Sequence, residues 1–129
     1  MTGPLSGVRV IELAHIMAGP VCGLMLSDMG ADVIKIERLP QGDGTRGFIP
    51  PNIGGESAAF MMLNRGKRSV ALDLRSEEGV VIVRRLLQEA DVVIENFRVG
   101  TMEKIGLGWS ELSELNPKLV YCQITGFGR

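Results

Sequence analysis

"VRVIELAHIMAGPVCGLMLSDMGADVIKIER", residues 8–38, reads as strand, helix, strand, and this reading decides the fold. Val8-Arg9-Val10-Ile11-Glu12-Leu13 reads as a first strand. Gly19-Pro20 then opens a helix, with proline at the first helical position, where its missing N–H costs little. That helix, residues 21–29, is apolar nearly all round, which predicts deep burial, and Gly30 closes it. A second apolar strand follows at residues 32–37 and stops on Glu37-Arg38. An acid at that place could grip a ribose, and the arginine beside it suggests that the ribose carries a phosphate.

The alternation continues downstream. Residues 57–63 predict a short helix and residues 69–74 a third strand. Ser76 caps the next helix, whose first turn carries Glu77 and Glu78 at the positive end of the dipole. Val80, Val83, Leu87 and Ala90 keep one-face helical spacing, while Arg84, Arg85, Gln88 and Glu89 point away. A fourth strand is expected at 91–95, helical pieces at 101–105 and 110–115, and a fifth strand at 119–124. Asn116-Pro117 stops the last helical piece.

Strands alternating with helices argue for α/β architecture: a doubly wound, Rossmann-like parallel sheet covered on both sides. Val70, Leu72 and Leu74 alternate with Ser69, Ala71 and Asp73, which suits a strand with one wetter face. Val92-Val93-Ile94 is continuously apolar, which suits a central one. The expected strand order is therefore 3-2-1-4-5.

Composition agrees with a single domain spanning residues 1–129. The chain has 129 residues, 45% of them apolar, enough to fill one core. A net charge of −1 gives no general attraction to nucleic acid or to an anionic membrane, so an anionic ligand must be held by local basic residues. No signal peptide opens the chain and no apolar run reaches membrane-spanning length, so a cytoplasmic protein is expected. Cys22 and Cys122 lie in apolar runs and read as core thiols, with no metal site. The seven methionines read as core filler.

Ligands of such sheets bind beyond the carboxyl ends of the strands, near the switch in strand order. Arg38, Arg75 and Arg98 come from three different connections to that edge, and the arginine fork suits phosphate. Lys67 and Arg68 precede the third strand and start from the opposite edge. A nicotinamide dinucleotide would need a glycine-rich first turn. The slot Ala14-His15-Ile16-Met17-Ala18-Gly19 keeps only its last glycine, although the spacing to Glu37 fits a ribose-binding acid. A phosphorylated ribose with another diphosphate path fits better, and coenzyme A is such a ligand.

The stretches "GVRVIELAHIMAGP", "GADVIKIERLPQGDGTR", "LNRGKRSVALDL", "ADVVIENFRVG" and "GLGWSELSELNPKLVYCQITGFG" resemble, in order, the N-terminal signatures of the class III CoA-transferases. That family includes formyl-CoA and carnitine CoA-transferases and the related 2-methylacyl-CoA racemases. The loop "GDGTRGFIPPNIGGESAAFMMLNRGKRS" resembles the transferase branch, and racemase ranks second.

The resemblance implies that Met17 and Ala18 border the coenzyme and that Arg38 contacts its phosphorylated adenosine end. It implies that Leu72, Asp73, Leu74 and Arg75 flank the adenine, and that Asn96, Phe97 and Arg98 line the coenzyme path. Lys104 stands where relatives carry a basic residue. His15, the only histidine, matches no catalytic position of the family and reads as a loop residue near the pocket. The family's aspartate nucleophile lies past "TGFG", so no catalytic residue is expected in this chain. It reads as the N-terminal part of a larger enzyme that takes an acyl-CoA and a carboxylic acid and forms an interlocked homodimer. A non-catalytic CoA-binding or interaction module is the reading from another class.

Overall fold

The computed structural model describes residues 2–128. Five parallel strands form one sheet: β1 (Arg9–Glu12), β2 (Asp32–Arg38), β5 (Arg68–Leu72), β6 (Val92–Glu95) and β7 (Val120–Gln123). Their order is β5-β2-β1-β6-β7, the expected 3-2-1-4-5 once the main strands alone are counted. The helices are α1 (Ala18–Asp28), α2 (Ala58–Asn64), α3 (Glu77–Gln88), α4 (Thr101–Lys104) and α5 (Trp109–Leu115). Two features went unforeseen: a 3₁₀ turn at Gly44–Gly47 and a two-residue hairpin, β3 (Asn52–Ile53) with β4 (Glu56–Ser57).

Local chemistry accounts for most boundaries. The Ser57 hydroxyl accepts the Phe60 N–H at the start of α2, and the Ser76 hydroxyl accepts the Gly79 N–H at the start of α3. Gly30 ends α1 at φ 99°, where a Cβ would be strained. β5 is an edge strand with Ser69 and Ala71 exposed, and β1 and β6 are central, as their residue patterns required.

The two faces of the sheet differ in kind. On one, Ile11, Leu13, Ile34, Ile36 and Val93 pack with Val83 and Leu87 of α3, Met102 of α4 and Leu112 of α5. This is an ordinary apolar core. On the other, Val10, Val33 and Ile94 pack with Cys22 and Leu26 of α1, but buried charges share the layer. Lys35 Nζ lies 2.8 Å from Glu12 Oε1 and 2.8 Å from Asp43 Oδ2, and Lys67 Nζ lies 2.8 Å from Glu12 Oε2. Lys67 also donates to the carbonyl of Pro20 at 2.8 Å and to Asn64 Oδ1 at 3.0 Å. Burial pushes the Lys67 ammonium down from its ordinary pKa, against the pull of Glu12.

This ionic layer corrects the expected deep burial of α1. The helix buries Gly19, Pro20, Gly23 and Ser27, its small side, and turns Met25 outward at 62% exposure. A Cβ on Gly19 would collide with that of Ala14, and one on Gly23 with the Glu12 carboxylate. The helix backbone has come down on the sheet to cover charges, and large side chains have no room beneath it. The methionines are accordingly not core filler: Met17, Met25, Met29, Met61 and Met62 are exposed, whereas Met102 is buried. Both cysteines are free and half-buried.

Candidate functional site

The exits of β1, β2, β5 and β6 converge on a cavity of about 540 Å³, within the range of small-molecule sites. Ile36, Leu74, Phe97 and Ile105 give it apolar walls. Arg38 and Arg75 stand on its lining with His15, Asp73 and Thr101. Phe97 projects from the β6 exit, its ring centroid 4.9 Å from that of His15 at an interplanar angle of 54°. Burial lowers the His15 pKa from its ordinary value of 6.5, opposed by the nearby Asp43 carboxylate, which favours the neutral imidazole.

The arginines are supported differently. Arg38 is exposed, and its Nε donates to the Gly42 carbonyl at 3.2 Å. Asp73 Oδ1 accepts from Arg75 N–H at 3.0 Å and from Arg75 Nε at 3.1 Å, an arrangement within one turn that fixes the stem of an otherwise 86% exposed side chain. Backbone and side-chain hydrogen bonds from Arg75 hold Asp73 below its ordinary pKa.

Arg98 lines a neighbouring groove between 96–99 and 124–128, separated from the cavity by Phe97. Leu72 packs half-buried against the apolar core. Met17, Ala18 and Lys104 are exposed and lie off the cavity lining. Asn96 is already engaged: its Oδ1 accepts His15 N–H at 2.8 Å and its Nδ2 donates to the His15 carbonyl at 2.8 Å. It acts as a clamp between two strand exits. Six members of the cavity lining escaped the sequence reading: Ile36, Leu39, Pro40, Gln41, Thr101 and Ile105. Ile36 and Ile105 sat inside elements already explained by core packing, so no separate signal marked them.

Glu37 does not behave as a ribose-binding acid. It is buried, and Arg46 grips it with Nε to Oε2 at 2.7 Å and Nη2 to Oε1 at 2.8 Å. Ser69 Oγ donates to Oε1 at 2.7 Å and Asp43 N–H to Oε2 at 3.0 Å. Burial alone would raise its pKa, but these donors outweigh burial and hold it at about 2. Its acceptor capacity is used inside the protein, which removes the dinucleotide reading of this acid. Among the described residues no group of His, Cys, Asp or Glu could hold a metal ion, and no helix is long and apolar enough to cross a membrane.

Residues 5–129 match the family model for CoA-transferase family III. Succinate–glutarate CoA-transferase of Agrobacterium fabrum is 54% identical over 98% of this chain, which covers 33% of that protein. Human succinyl-CoA:glutarate CoA-transferase is 40% identical over 98% of this chain, 29% of its own length. The crystal structure of a CaiB/BaiF family protein from Brucella suis superimposes with a TM-score of 0.93 at 53% identity, covering 99% of this chain and 35% of that one. The chain thus spans about a third of the length of these relatives. The Agrobacterium and human relatives are transferases by name, which favours the transferase branch over the racemase branch. With its sheet order, its apolar-walled cavity and these matches taken together, the chain belongs to CoA-transferase family III.

Proposed function

We propose that this chain supplies the coenzyme-binding part of a CoA-transferase that moves coenzyme A from an acyl-CoA to an acceptor carboxylate. The observation that carries the reading is the pairing of Arg38 and Arg75 on a cavity walled by Ile36, Leu74, Phe97 and Ile105. The apolar walls take the adenine and the two guanidinium groups take the phosphate on its ribose. Leu72 backs the adenine wall and Asp73 holds Arg75 in place. From there the coenzyme runs past Asn96, Phe97 and Arg98, toward Met17 and Ala18, with Lys104 adding positive charge nearby. The names of the relatives point to short dicarboxylic acids as donor and acceptor. The active protein is a cytoplasmic homodimer, and its carboxylate nucleophile lies in a segment outside residues 1–129.

Calorimetric titration with CoA and dephospho-CoA tests the reading. A charge-assisted phosphate contact contributes roughly 1.5–3 kcal/mol, so CoA should bind about 10- to 100-fold more tightly. Arg38→Ala and Arg75→Ala should each erode that preference. Equal affinities for the two ligands in the wild type would remove the phosphate role of both arginines. For the chemistry, exchange of labelled CoA between two acids should be absent with residues 1–129 alone. Turnover that vanished in His15→Ala would place the chemistry within this chain and contradict the proposal.

A further inference from the structure

Ile16 is the one non-glycine residue with positive φ among the described residues, at 65°. The left-handed region is a poor place for a β-branched side chain, because Cβ crowds the backbone there. Packing does not hold it: the side chain is 46% exposed. Hydrogen bonds do. Asn96 fixes both the N–H and the carbonyl of His15. The Ile16 N–H then donates to the Asp43 carboxylate, 3.2 Å from each oxygen. Asp43 is itself buried and immobilised, by Lys35 at 2.8 Å and by the Thr45 N–H and hydroxyl at 2.9 and 2.8 Å. The residues on either side of Ile16 are His15, on the cavity wall, and Met17, which precedes α1.

We infer that Asp43 is a positioning residue of the site: by accepting the Ile16 N–H it holds the turn after β1 in its left-handed conformation, and so sets the His15 ring and the Met17–Ala18 backbone beside the cavity. The strain persists because the acceptor is anchored in the ionic layer and cannot follow the turn if the turn relaxes.

The test is a double-mutant cycle of Asp43→Asn and Ile16→Gly, because glycine adopts this conformation without an anchor. The first readout needs no ligand. Asp43→Asn should speed exchange of the residue-16 amide about tenfold or more and shift the Met17 and Ala18 amide resonances. In the Ile16→Gly background the same substitution should move those resonances far less. Equal shifts in both backgrounds would overturn the inference, since a general loss of the Lys35 partner would act identically in each. The second readout is CoA affinity, which rests on the function proposed above: a loss of about tenfold is expected for Asp43→Asn alone and about twofold in the glycine background. If the wild type binds no CoA, the proposed function falls while the amide data still decide the positioning role. Should Asp43→Asn fail to fold, Ile16→Gly and Ile16→Ala decide instead. The glycine variant should unfold at the higher urea concentration, and the reverse order would overturn the inference.

Discussion

Arg46 grips Glu37 with two nitrogens at 2.7 and 2.8 Å while its guanidinium carbon sits 3.7 Å from the centroid of the Phe60 ring. One side chain thereby joins the end of β2, the 3₁₀ turn and α2. The strand ends on an acid because that acid anchors the loop that follows it.

This anchoring has an acid limit. Glu37 and Asp43 are each held at about 2, against ordinary values of 4.5 and 3.8. For both, burial raises the pKa and is outweighed by hydrogen bonds and by the charges of Arg46 and Lys35. A depressed folded-state pKa contributes stability that is fully present above the unfolded value and is lost as pH falls through the folded one. Urea unfolding as a function of pH should therefore show stability dropping from about pH 4.5 to about pH 2, by a few kcal/mol in all. Glu37→Gln should be less stable at pH 7 and show a shallower fall. A wild-type profile flat across that window would contradict the network.

The descent of α1 onto charge makes Gly23 intolerant. A methyl there meets the Glu12 carboxylate, with Lys67 Nζ 3.4 Å away. Gly23→Ala should cost about 1–3 kcal/mol in urea unfolding, the usual range for overpacking a filled site. Gly47, where an added Cβ meets nothing within 4 Å, is the control and should change stability by less than about 0.5 kcal/mol.

Glu95 is a fully buried acid whose partners are neutral. Its Oε2 accepts the Phe97 N–H at 2.9 Å and its Oε1 faces the Tyr121 hydroxyl at 3.4 Å. Burial raises its pKa, partly offset by these bonds and by Gln123. A carboxyl with a raised folded-state pKa makes the fold less stable as pH climbs from 4.5 through that higher value. Glu95→Gln keeps an acceptor for Phe97 and removes the charge. It should raise stability at pH 7 and leave it unchanged near pH 4; a loss at pH 7 would mean that the ionised form is favoured.

The outer edge of β7 and the surface beside it invite association. Val120 is 59% exposed, with Trp109 next to it; Met25 on α1, Met29 just past its end, and Met61 and Met62 on α2 are exposed as well. Open strand edges and apolar patches pair readily. Light scattering over a dilution series should show self-association of residues 1–129, reduced by Val120→Lys. A monomer that persists at high micromolar concentration in the wild type would refute this.

Strand order was legible because burial on one face or two leaves different residue patterns, as Val70-Ala71-Leu72 and Val92-Val93-Ile94 illustrate. The placement of Arg38 and Arg75 on one cavity was legible because topology alone delivers both to the same sheet edge. The engagement of Glu37 by Arg46, and of Asn96 by His15, was not. Each is settled by side-chain partners that no periodicity encodes. The exposed methionines escaped for a related reason: an all-apolar helix gives no moment to show its buried side. That side was chosen by what lay beneath, a glutamate and two lysines. The β3–β4 hairpin, with two residues per strand, is too short for alternation to appear.

β2 carries Ile34 and Ile36 on one side and Lys35 and Glu37 on the other, with Lys35 directly opposite Glu12 of β1. Sliding β2 by a single residue would exchange the two sets. Lys35 would be driven among Val83 and Leu87, and an isoleucine would face an abandoned glutamate. A wholly apolar parallel pair penalises such a slip weakly, since one branched side chain substitutes for the next. Here the misaligned sheet would hold unpaired ions in an apolar layer, so the charges under α1 act as a keyed lock on the alignment of β1 with β2.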